Sequence, residues 1–221
     1  MQRKIFRTIA SVSFALVVVR GSARQTKAQN AKAPYPNMAP LDQYLMERNA
    51  EVMVLGRHGY EPAVKGKNGF VCIVWRSWAA GIDDPDFWNP KLRAPVRFNA
   101  PAARFNIPLT LKRTELVLAG RTKTQMFADI STAFDKREFP ALETGAMCYM
   151  LSKQGYLSNR DGHWRPHLMF FVPLTEPASW GAGLPGSPVV VAFTDTPERH
   201  TVFLVPVAKW SDGTAAPIDE H

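Results

Sequence analysis

Four short apolar runs occupy the chain after Gly145, at residues 146–151, 168–172, 189–193 and 201–207, with no stretch of helical period between them. Runs of this length, bounded by Gly, Pro, Asp and Ser, read as strands. Helical signals sit in the other half. Thr122-Lys123-Thr124-Gln125 has the form of a capping box, and Met126, Phe127, Ile130, Ala133 and Phe134 then fall on one helical face. Residues 109–119, which end at a C-capping Gly120, and residues 41–53, with Leu41, Leu45 and Val52 apolar, predict two more helices. Helices and strands that segregate along the chain do not alternate as a doubly wound fold requires. The fold class expected is α+β: one domain over residues 41–221, with a mainly antiparallel sheet and two or three helices.

Two further expectations concern the middle of the chain. Residues 61–65 and 70–76 flank Gly66-Lys67-Asn68-Gly69, a turn-rich tetrad that predicts a hairpin between them. Residues 77–108 carry Pro85, Pro90, Pro95, Pro101 and Pro108, with Trp78, Phe87, Trp88, Phe98 and Phe105 interspersed. Proline at that density breaks any period, and aromatic residues resist exposure to water, so the segment reads as a long ordered loop.

The formal net charge of +8 invites a nucleic-acid reading, which the placement of the charges removes. Residues 1–33 hold seven Lys and Arg and no Asp or Glu, leaving 20 positive against 19 negative residues in the rest. A basic start, the twelve-residue apolar stretch TIASVSFALVVV and small residues after it form the layout of a secretory signal peptide. That stretch is shorter than the roughly 20 residues a membrane span needs. Residues 1–33 are therefore read as signal peptide and processing region and residues 34–40 as a linker. The protein is expected to be periplasmic or secreted, with no transmembrane span after processing and no nucleic-acid partner.

In an oxidising compartment Cys72 and Cys148, each inside an apolar run, are expected to form a disulfide. Closing so long a loop contributes about 3–5 kcal/mol.

Among the motifs, Gly181-Ala182-Gly183-Leu184-Pro185-Gly186 matches a dinucleotide fingerprint by letters only. Pro177, Pro185 and Pro188 prevent the helix that such a site needs, so the segment reads as a surface loop. The densest polar cluster is residues 155–167. Its Arg160, Asp161, Trp164 and Arg165 are candidate binding residues. His163 and His167, four apart and on one side of an extended segment, are candidate ligands for a divalent transition metal.

Arg57-His58-Gly59 follows the apolar run Val52-Met53-Val54-Leu55. The triplet resembles the start of the histidine phosphatase superfamily. That resemblance implies His58 as the nucleophile that takes a phosphoryl group and Arg57 as its bidentate clamp. Taken together, residues 57–60, 66–72, 146–156 and 162–167 look like those of secreted bacterial proteins of unassigned function, which implies a bacterial source and an exported context. The functional expectation is an exported domain that binds a small molecule or a protein partner. The alternative is a hydrolase, acting through His58 or through a metal on His163 and His167.

Overall fold

The computed structural model describes residues 49–81, 84–158, 164–193 and 197–216. The signal peptide, the linker, the first eight residues of the helix expected over 41–53, and Arg160, Asp161 and His163 lie outside them. Among the described residues the fold is α+β: one eight-stranded, mainly antiparallel sheet and two α-helices. The strands are β1 (Glu51–Gly56), β2 (Gly59–Val64), β3 (Val71–Trp75), β4 (Ala94–Phe98), β5 (Met147–Met150), β6 (His167–Pro173), β7 (Val190–Phe193) and β8 (His200–Pro206), and the helices are α1 (Ala100–Leu118) and α2 (Lys123–Asp135). The sheet order is β2-β1-β3-β4-β5-β6-β8-β7, and only the β1–β3 pair is parallel. No helix among the described residues is long and apolar enough to cross a membrane.

The four strands expected after Gly145 are present, with β7 and β8 paired antiparallel. The capping box at Thr122 is also formed, its side chain accepting from Gln125 N while the Gln125 side chain accepts from Thr122 N.

Three local expectations are corrected. Residues 51–53, read as the end of a helix, begin β1. The hairpin is β1–β2, turning at Arg57-His58, and β2 and β3 do not pair but flank β1 on its two sides. The reason is the unbroken apolar run Val52-Met53-Val54-Leu55, which suits an interior strand with a neighbour on each side. The 65–70 link returns close to the start of β1: Lys67 N donates to Asn49 O and Glu51 N to Phe70 O, both at 2.8 Å. Gly66 permits that approach, because a Cβ there would lie 2.3 Å from Glu51 N.

The third correction is the long loop. Residues 77–108 contain β4 and the first half of α1. Two of the prolines occupy positions that suit them, while Pro108 stands inside α1. Pro95 pairs opposite Val74 of β3 at a level where β5 does not pair with β4. Pro101 occupies the first helical turn, where no N–H is needed. Asn99 caps α1 by accepting from Ala102 N at 3.0 Å, and it ties the helix start to β5 by accepting from Met147 N and donating to Gly145 O.

One face of the sheet carries Phe98, Cys148, Met169, Phe171 and Val202 toward α1. Phe87 and Phe105 join Met126, Phe127 and Ile130 of α2 in a second cluster. On the opposite face Arg97 is buried between the rings of Phe70 and Tyr149, 5.7 and 4.1 Å from their centroids.

The expected disulfide is overturned: Cys72 and Cys148 are both buried and no bond joins them. Cys72 lies opposite Arg97 of β4, and Cys148 opposite Phe98 of β4. Consecutive residues point to opposite faces, so the two thiols face away from each other across an intervening strand, whose two neighbours have backbones about 10 Å apart. A disulfide needs Cα atoms within about 7 Å and converging Cβ vectors. Burial also pushes the Cys148 thiol well above its usual range. We expect the denatured, unreduced protein to have the mass of two thiols and to alkylate at both only once unfolded. A mass short by two hydrogens would contradict the register.

Candidate functional site

Between α1 and the face formed by β3–β6, β7 and β8 lies a cavity of about 280 Å³. Its floor is apolar, with Met169 and Phe171 of β6 beside Val202 and Leu204 of β8. These four residues share a face because they alternate along paired strands. Leu109, Thr110 and Arg113 of α1 form the facing wall, and residues 76–81 and 84–92 line one side.

The polar groups of the cavity come from separate segments. Arg113, only 4 % exposed, stands on the buried stripe of α1 with Leu109 and Leu116. Its Nη1 donates to Trp78 O at 2.6 Å and to Ala80 O at 2.8 Å, and its Nη2 donates to the Glu198 carboxylate. One guanidinium thus fastens α1 to the 77–80 segment and to the turn before β8. Trp75 and Trp78 reinforce this, donating to the Thr110 and Thr114 hydroxyls at 3.0 and 3.1 Å.

His200 and His167 line the two ends of the floor. His200 Nδ1 lies 3.1 Å from Glu198 O, and His167 Nδ1 lies 2.6 Å from Arg165 O. A carbonyl can only accept, so each neutral ring carries its proton on Nδ1 and leaves Nε2 as an acceptor. Burial pulls both histidines below the usual imidazole range, which keeps them neutral at pH 7.

Arg76 is the other cation of the cavity lining. Its Nη2 donates to Pro90 O, and no carboxylate pairs with it among the described residues. Burial pulls it below the usual guanidinium range, opposed by Tyr60 and assisted by the like charge of Arg93. The carboxylates of Asp84 and Asp86 are engaged within their own turn, accepting from Asp86 N and Asn89 Nδ2 at 2.7 Å.

Of the site candidates singled out from sequence that are among the described residues, His167 lines this cavity and Arg57, His58, Trp164 and Arg165 do not. Arg57 and His58 are exposed in the β1–β2 turn and line a shallow groove with Lys112 and Glu115. No residue lines both that groove and the cavity. The triplet sits at the turn of an antiparallel hairpin. Trp164 is packed rather than presented: it is 5 % exposed, it donates to Ser152 O, and Gly155 lies against its ring. Arg165 is exposed, and His167 lines the cavity together with Leu157 and Ser158 of the same segment. No group of three His, Cys, Asp or Glu that could hold a metal forms among the described residues. The 181–186 segment, with no helix opening from it, is the loop expected of it.

Arg113, Glu198, His200 and Arg76 were not evident as a site. A usable signal existed for Arg113 alone, which falls at helical spacing between Leu109 and Leu116 and so belongs to the buried side of its helix. In comparisons with known proteins, the chain matches no family model, no curated protein and no solved structure.

Proposed function

We propose that the protein is an exported binding protein whose cavity takes a small, largely apolar molecule. The observation that carries this is the cavity itself: apolar walls, a few fixed polar groups at its ends, and a volume of about 280 Å³, near the lower end of small-molecule sites. Export is supported by the basic, acid-free composition of residues 1–33. The alternative, a hydrolase acting through His58 or through a metal on His163 and His167, draws less support, because His58 and His167 line separate surfaces.

Calorimetric titration with straight-chain alcohols tests the binding reading. Affinity is expected to rise by about 0.8 kcal/mol for each methylene buried and to level off once the cavity is full. Ala192 lines the wall on β7, and Ala192→Phe, if its circular dichroism matches the wild type, is expected to weaken decanol binding at least tenfold. Failure of the wild type to bind any of these alcohols, or undiminished binding by the variant, would remove the reading.

A further inference from the structure

We infer that the cavity's ligand is a single-chain amphiphile, its tail lying along the β6–β8 floor and its anionic head, a carboxylate or a phosphate monoester, docked on Arg76. This rests on the binding reading above and extends it to a ligand class. The shape comes from the floor. His167 stands at the start of β6, and His200 pairs with Pro173 at the end of β6. Six residues of strand separate the two ends, a length of about 20 Å. Between the ends Met169, Phe171, Val202 and Leu204 make a continuous apolar strip along which an extended tail can lie.

The charge comes from comparing the two cavity cations. The fork of Arg113 is saturated by two carbonyls and its charge is neutralised by Glu198. Among the described residues Arg76 donates to one neutral acceptor, Pro90 O, and feels the like charge of a second guanidinium, Arg93. Arg93 itself is held by neutral groups, donating to Gln154 O and lying over the Tyr156 ring. An anion arriving at Arg76 relieves that repulsion and meets a bidentate donor. At the opposite end, among the described residues, the polar groups of the lining are the Arg113–Glu198 ion pair and the neutral imidazole of His200, and the Asp84 and Asp86 carboxylates on the side of the cavity are engaged within their own turn.

The test is calorimetric titration of the full chain with decanoate, decyl phosphate, decanol, decyltrimethylammonium and cholate. Decanoate or decyl phosphate is expected to bind at least tenfold tighter than decanol, and whichever is tighter identifies the head group. The ammonium amphiphile and cholate are expected to bind at least tenfold more weakly than the better anion. Arg76→Gln should bring the anions down to the wild-type affinity for decanol, and Arg76→Lys should restore part of the preference. Decanol binding as tightly as both anions, or an anion preference that survives Arg76→Gln, overturns the head assignment and leaves the cavity reading standing. Cholate binding as tightly as decanoate overturns the single-chain assignment. If none of the chains binds, both readings fall together.

Discussion

Replacing Glu198 with Ala is expected to destabilise the protein by about 3–5 kcal/mol, because it strands the Arg113 guanidinium in the interior without its counter-charge. Both side chains are nearly inaccessible, at 5 % and 11 % exposure, so water cannot take over the role of the lost carboxylate. Arg113→Ala is expected to cost a similar amount by a different route. It leaves Glu198 buried and also removes the donor that Trp78 O and Ala80 O share. The pair need not be net stabilising, since removing two charges from water opposes their attraction. The double replacement Arg113→Met with Glu198→Leu is therefore expected to cost less than either single change to Ala. Urea denaturation of the four proteins measures this. A loss under about 1 kcal/mol for Glu198→Ala would place the pair among solvated surface pairs.

Phe98→Ala is the second large effect, at about 3–5 kcal/mol for deletion of a buried aromatic side chain. Phe98 is inaccessible at the end of β4, its ring 5.2 Å from that of Trp75 and 6.1 Å from that of Phe171. Trp75 is fixed by its bond to Thr110 and Phe171 by its place on β6, so neither collapses readily into the space. A melting temperature lower by roughly 10 °C is expected for a chain of this size. A drop of only one or two degrees would show that the core around β4 repacks freely.

The parts of the fold that were legible before the structure share one property: their signals are local. The capping box at Thr122 and the apolar face after it lie within thirteen residues of α2. The last four strands are short apolar runs bounded by turn residues. Illegibility followed where the partner of a segment had to be chosen. Gly66-Lys67-Asn68-Gly69 says that the chain turns, and nothing about whether β2 pairs with β3 or with β1. The prolines of residues 77–108 hid both β4 and the first half of α1. A proline disfavours helix or strand only at particular positions, and Pro95 and Pro101 avoid them.

The site was less legible than the fold for the same reason. Arg113 and Glu198 stand 85 positions apart and meet only because α1 crosses the sheet. His58 offered a sharp motif on an exposed turn, whereas His200, the first residue of β8, offered none. The cysteine expectation failed on parity: Cys72 and Cys148 both lie in strands, but their registers on β4 differ by one residue, which places them on opposite faces.

Of the seven strand pairings, five join strands adjacent in sequence and two skip a single strand. The β1–β2 and β7–β8 hairpins, at the two edges of the sheet, close over the shortest links and can assemble by local search. The β4–β5 seam is different. Its partners, Phe98 and Cys148, are separated by both helices, so zipping that seam also lowers α1 onto the sheet. The joining of the two halves and the enclosure of the cavity are thus one kinetic event. A ligand of the cavity is expected to slow unfolding while leaving the early hairpins untouched, because nothing it could grip exists until that seam has closed.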